Sequence, residues 1–221
     1  MNSGPDPAIA AQAELHHQYL LGLELMVSTR EGPEVVGDWM FRLFRRQHED
    51  KFLSSFRKLG LEGQPHAVAC AKYHVLSNGM GGVAVEYMEE SDKKAWVRFR
   101  YPRWMYDGAA ICGVPVEASR GFLKGWYAQN GVSLGNPRLG YVCVSEDMTG
   151  QFGLCGYFKE YDHDLTEDAR LAFAPDDFRA LIAIFATDPA QNRLICALYT
   201  QSPWRRFFLS RYFMTAGVPP T

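Results

Sequence analysis

The chain has 221 residues, 47% of them hydrophobic and 22% charged, which is the composition of a folded protein with room for a sizeable core. A net charge of -2 supplies no basic field for nucleic acid or anionic lipid, and no stretch approaches the roughly 18 apolar residues a membrane span needs. Cys70, Cys112, Cys143, Cys155 and Cys196 are widely spaced, form no CxxC pair and are odd in number, so we expect reduced thiols and a cytoplasmic protein. The opening "MNSGPDPAIAAQAE" has no basic start and no apolar run, and no secretory signal is expected.

The first third reads helical. In "PAIAAQAELHHQYLLGLELMVS", Ala11, Leu15, Leu20, Leu23 and Val27 recur at spacings of three to five and predict one core-facing stripe. Pro33 can open a second helix, Gly60 caps it, and Val36, Met40, Leu43, Phe44, Phe52 and Phe56 make its apolar face. A third helix is predicted from Pro65 to about Ser77. The pattern then turns to strands: "GVAVEYMEE" and "KAWVRFRY" flank "SDK" as a hairpin, with Trp96, Arg98 and Arg100 on one face and Val97, Phe99 and Tyr101 on the other. Pro115 opens "VEASRGFLKGWYAQNG", a helix that Asn130-Gly131 should stop. A second hairpin joins "LGYVCVSE" to "FGLCGYFKEYD" through "DMTGQ". "DLTEDA" then carries a helix-start signal, "PDDFRALIAIFA" and "SPWRRFFLSRYF" read helical, and "NRLICALYT" between them fits strand or buried helix. The expected fold is one α+β domain over residues 1–215, with 216–221 a disordered tail.

"GLCGYFKEYDHDL" concentrates candidate chemistry. On a straight strand Cys155 and His163 lie about 26 Å apart, which excludes a nucleophile–base pair from this segment alone. Glu160 and Asp162 share a face about 6.6 Å apart, where paired carboxylates can activate a water or simply meet solvent. No HExxH, cysteine knuckle or EF-hand loop is present, so no metal or other cofactor is expected; His16, His48 and His163 could meet only through the tertiary fold. If the second hairpin closes around "DMTGQ", Cys143 and Cys155 face each other with Cβ atoms about 5 Å apart. Either could be a nucleophilic thiolate, given a cation such as Lys159 or Arg138, and Cys112 in an irregular segment competes with both. The alternative for each is a buried inert thiol.

Aromatic and arginine residues give the second signal. Trp96, Arg98, Arg100, Trp126, Tyr157, Asn136 and Arg138 could line a pocket in which a guanidinium forks the carboxylate of a small aromatic or heterocyclic acid. They could equally be core rings with arginines reaching to water. The balance of charge disfavours single-stranded nucleic acid.

The order of elements, with "KKAWVRFRYPRW", Cys112, a Trp-bearing helix, "GNPRLGYVCV" and "GLCGYFKEYD", resembles the L-2-amino-thiazoline-4-carboxylic acid hydrolase family over roughly residues 35–165. That family is similar in layout to the 4-vinyl-reductase-like small-molecule-binding domains. The resemblance implies hydrolytic opening of a small cyclic C–N bond on an acid substrate and assigns no individual catalytic residue.

Two functions are therefore expected. One is a hydrolase with Cys155, Cys143 or Cys112 as nucleophile, or Glu160 activating water, and with Arg98, Arg100 or Arg138 on the carboxylate. The other is a non-catalytic module that senses a small molecule. A small-molecule substrate is the expected partner, with no nucleic acid and no membrane. The broad apolar face of "SPWRRFFLSRYF" suits packing on the chain's own core, or a homodimer.

Overall fold

The computed structural model describes residues 7–80, 83–100, 103–108, 110–147, 153–175 and 177. Helices α1 (Pro7–Glu31), α2 (Pro33–Lys58) and α3 (His66–Met80) precede the hairpin β1 (Val85–Ser91) and β2 (Lys94–Phe99). Short α4 (Ala110–Gly113), α5 (Val116–Gly125) and α6 (Asn130–Ser133) follow, then β3 (Leu139–Ser145), β4 (Cys155–Glu160) and β5 (Leu171–Phe173). The fold is α+β, as the sequence predicts. The "NRLICALYT" and "SPWRRFFLSRYF" segments, Cys196 and the tail lie outside the described residues.

The five strands form one mixed sheet in the order β1-β2-β4-β3-β5. Both hairpins are antiparallel and join through an antiparallel β2–β4 pairing. The alternation of side chains sorts the sheet into two faces. Ala95, Val97, Phe99, Leu139, Tyr141, Cys143 and Phe158 face the helices in the main core, while Met88, Trp96, Val142, Val144, Cys155 and Tyr157 form a smaller cluster on the other side.

Four readings of the chain are corrected. The stripe of α1 is only partly as predicted: Val27 packs half-buried on the core, but Leu15 is 67% exposed and the fully buried residues are Leu21 and Glu24. Asn130-Gly131 does not stop a helix; α5 ends at Gly125 and Asn130 begins α6, which closes at Gly135 with a φ of 65° that suits glycine. "DLTEDA" leads into a 3-10 turn over Asp168–Arg170 and then β5, which pairs parallel with β3. The fourth concerns the thiols: the regular β3–β4 register pairs Val142 with Tyr157 and Cys143 with Gly156, and an irregularity after Cys143 pairs Ser145 with Cys155. One residue of offset puts the two sulfurs on opposite faces of the sheet.

The apolar face of α2 is as predicted. Val36, Met40, Phe44, Phe52 and Phe56 are all buried, each contributing about 1.5–3 kcal/mol on removal from water. Backbone contact locks α2 to α5. A Cβ on Gly121 would overlap the Gly37 carbonyl oxygen, and one on Gly125 would lie 2.6 Å from the Phe41 carbonyl oxygen. That close approach fixes how Ser119 and Phe122 of α5 enter the core.

Candidate active site around Arg103

Burial makes Arg103 the unusual residue of this fold. It sits just after β2, at the start of a 3-10 turn over Trp104–Tyr106, and its side chain has no exposed surface. A guanidinium cannot shed its charge, so the fold must supply an anion and hydrogen-bond acceptors. Arg103 Nη2 donates to Asp147 Oδ2 at 2.7 Å, Ser119 Oγ at 2.9 Å and Met105 Sδ at 2.7 Å, and Ser119 Oγ donates to Asp147 Oδ2 at 2.7 Å. The plane lies between rings, with Cζ 4.5 Å from the centroid of Phe122 and 5.5 Å from that of Phe99.

These partners engage only one of the three nitrogens. Arg103 Nε and Nη1 and Asp147 Oδ1 are buried without a partner among the described residues. A guanidinium has five N–H donors, so the one on Nε and the two on Nη1 remain for something else. Glu24 of α1 belongs to the same group. It has no exposed surface, and neither carboxyl oxygen has a partner among the described residues. Burial pushes its carboxyl from the ordinary 4.5 up to about 8, with the Arg103 charge opposing only part of that rise. At neutral pH Glu24 is therefore mainly a neutral acid.

The walls are aromatic. Tyr106 donates to the Pro115 carbonyl at 3.3 Å, while the hydroxyls of Tyr127 and Tyr141 are buried and unpartnered among the described residues. Burial raises all three phenols, Tyr106 being raised further by the Asp147 charge, so they act as neutral groups. Tyr141 has its position because strand β4 carries Gly156 beside it: a Cβ there would lie 2.5 Å from the Tyr141 hydroxyl. The arrangement offers a fixed cation, a neutral acid and flat apolar walls, shielded from water.

The sequence-predicted residues fall in three other places. Trp96, Arg98, Arg100, Cys155 and Tyr157 belong to the opposite face of the sheet or its edge. Trp96 Nε1 donates to Glu90 Oε2 at 2.7 Å, Tyr157 donates to Asp177 Oδ2 at 2.6 Å, and Arg98 and Arg100 both pair with Glu86, at 2.8 and 3.2 Å. Burial pushes the Cys155 thiol up to about 12 although the Arg98 charge pulls the other way, and burial raises Cys143 as well. A thiol so held is a poor source of thiolate. Cys112 is exposed on α4, and Trp126 is half-buried with its ring edge-on to Phe44 and His48.

Asn136, Arg138 and Glu160 do meet, and they gather His66. The Arg138 backbone N–H donates to Asn136 Oδ1 at 3.1 Å, which fixes the amide so that Nδ2 faces Glu160 Oε2 at 2.8 Å and His66 Nδ1 at 3.1 Å. His66 then accepts at Nδ1 and carries its proton on Nε2. His66 lines a shallow cleft of about 230 Å³ floored by Phe56, Leu61 and Leu134. Among the described residues no three or more His, Cys, Asp or Glu side chains converge as a metal site, and no helix is long and apolar enough to cross a membrane.

Sequence reading missed Glu24, Ser119 and Asp147 and passed over Arg103. One signal was present: Glu24 lies three residues after Leu21, the spacing of neighbours on one helix face. No family model matches the chain, and no curated protein and no solved structure matches it either.

Proposed function

We propose that the chain binds a small aromatic or heterocyclic acid, with the ligand carboxylate on Arg103 and its ring among Phe99, Phe122 and Tyr127. One observation carries this reading: a fully buried guanidinium with Nε and Nη1 unengaged among the described residues, between aromatic rings. The test is calorimetric titration of the full chain with benzoate and with its neutral isostere benzamide. Benzoate binding and benzamide failing to bind is the expected result, and Arg103→Lys should weaken benzoate because an ammonium lacks the planar donor array. Equal binding of both compounds, or of neither, would sink the reading.

A second reading, hydrolysis of a cyclic C–N bond in such an acid, is favoured by Glu24. Water would add to the ring carbon and lose its proton to Asp147, while the Glu24 acid proton passes to the departing ring nitrogen as the C–N bond breaks. The buried thiols favour this route over a cysteine nucleophile. The hydrolase reading predicts that Asp147→Asn abolishes turnover of a cyclic amidine or thiazoline acid followed by mass spectrometry. Free thiols at the four described cysteines suit a cytoplasmic setting. The homodimer stays part of the proposal, with sedimentation equilibrium as its check.

A further inference from the structure

We propose that the cleft between the end of α2 and the start of α3 is a second ligand site, independent of Arg103. It takes a straight-chain carboxylate of about eight carbons, with the head on His66 Nε2 and the tail over Phe56, Leu61 and Leu134.

A chain of fixed hydrogen bonds defines the polar end. The Arg138 backbone N–H only donates and the Glu160 carboxylate only accepts, so Asn136 stands with Oδ1 toward the first, at 3.1 Å, and Nδ2 toward the second, at 2.8 Å. The other proton of Nδ2 meets His66 Nδ1 at 3.1 Å, which makes that nitrogen an acceptor and leaves the ring proton on Nε2. The start of α3, the segment before β3 and the end of β4 thus hold one half-buried imidazole in one tautomer. No hydrogen bond engages Nε2 among the described residues. Water would accept either tautomer of such a ring, so the fixing does nothing for its solvation. What it creates is a donor of set position at the cleft.

The rest of the cleft sets the sign and size of the ligand. Arg57 stands on the rim 3.8 Å from Glu62, longer than a hydrogen bond, so its guanidinium can turn to a carboxylate. Both side chains are exposed, and solvent weakens them, so discrimination falls to His66. Its N–H can meet a carboxylate and offers an ammonium nothing. Below the rim Phe56 and Leu61 are buried, while Leu53 on the wall stays 40% exposed, apolar surface that a ligand tail would cover. The volume of about 230 Å³ is less than a drug-sized ligand needs. At roughly 30 Å³ each, the share of one water in its liquid, it holds about seven carbon-sized groups. That is the tail of octanoate, with the carboxylate left at the rim.

The experiment titrates the full chain with octanoate and with octylammonium by calorimetry. In parallel, long-range proton–nitrogen correlation spectra of the histidine rings are recorded at about pH 8, above the ordinary histidine range. The free protein should show His66 protonated on Nε2, and octanoate should shift that nitrogen while octylammonium leaves it in place. Octanoate should bind with a Kd of about 1 mM or tighter. Affinity should rise about fourfold per methylene from butanoate to octanoate and level off in longer chains, once the floor is covered. His66→Phe keeps a ring and removes the donor, and should weaken octanoate by about tenfold to a hundredfold, the range of a hydrogen bond to a charged group. No octanoate binding, equal binding of octylammonium, or an unchanged Kd in His66→Phe would overturn the proposal. Displacement of octanoate by benzoate with the His66 nitrogen unmoved would assign the binding to the Arg103 site and overturn it as well. A His66 proton found on Nδ1 would remove the donor on which the site is built.

Discussion

Replacing Glu24 by glutamine should change how the protein's stability depends on alkaline pH. The folded state holds the Glu24 proton up to about pH 8, whereas the unfolded chain releases it near the ordinary value of 4.5. Its folded pKa is raised, so its contribution is fully present below about pH 4.5 and is lost as pH rises through about 8. In that interval the folded state binds the extra proton, and each pH unit costs about 1.4 kcal/mol. From about pH 6.5 to about pH 9 the loss flattens as the group titrates and comes to about 2 kcal/mol. Urea unfolding followed by circular dichroism at several pH values measures it. The wild type should lose about 2 kcal/mol over the range and Glu24→Gln a small fraction of that. Parallel curves for the two proteins would mean that the carboxyl is hydrated in solution, and the neutral acid of the hydrolase reading would fall with it.

Three more outcomes follow from the packing. His48, pushed from its ordinary 6.5 down to about 3 by burial, with the Arg45 charge adding to the shift, must be neutral in the fold. Stability should therefore fall with acid below about pH 6.5, and His48→Gln should remove about 1.4 kcal/mol per pH unit of that slope in the same unfolding assay. Gly121→Ala gains helix propensity worth about 1 kcal/mol yet pushes a methyl into the Gly37 carbonyl and to 3.0 Å from the Phe41 nitrogen, so it should destabilise by about 2 kcal/mol net in thermal denaturation. Among the four described cysteines, Cys112 should react with iodoacetamide in the native state and Cys70, Cys143 and Cys155 should wait for unfolding, read by peptide mass spectrometry. Fast native labelling at Cys143 or Cys155 would restore the thiol route.

Much of this architecture was legible in local pattern. The apolar spacing of α2, the β-branched and aromatic runs of both hairpins and the start of α5 after Pro115 each follow from period and turn chemistry, because those depend on neighbours a few residues apart. Opposite-face placement of Trp96 and Val97 follows from strand alternation alone. The pattern failed where distant segments decided. Leu15 and Leu23 fit a stripe as well as Leu21 and Glu24 do, and only the docking of α1 beside α2 and α4 selected among them. The parallel β3–β5 pairing needs a strand that is three residues long, too short to show a period.

The same division governs the site. Sequence determined that acids, arginines and rings were present, and it named Asn136, Arg138 and Glu160 as candidates; only the fold brings them together. Sequence could not show that the hairpin register sets Cys143 opposite Gly156 rather than Cys155, which puts the two thiols on opposite faces, since one residue of slip reverses a strand. Nor could it rank Arg103 above Arg98 or Arg100, which have the same chemistry in the same short segment. Burial made that choice. Arg98 and Arg100 meet Glu86 on the sheet's second face, while Arg103 lies against Ser119 and Phe122 of α5 and on Asp147, where its charge is felt by Glu24. The pKa of a carboxyl and the unmet donors of a guanidinium are set by what surrounds them, and those surroundings come from four segments spread from residue 24 to residue 147.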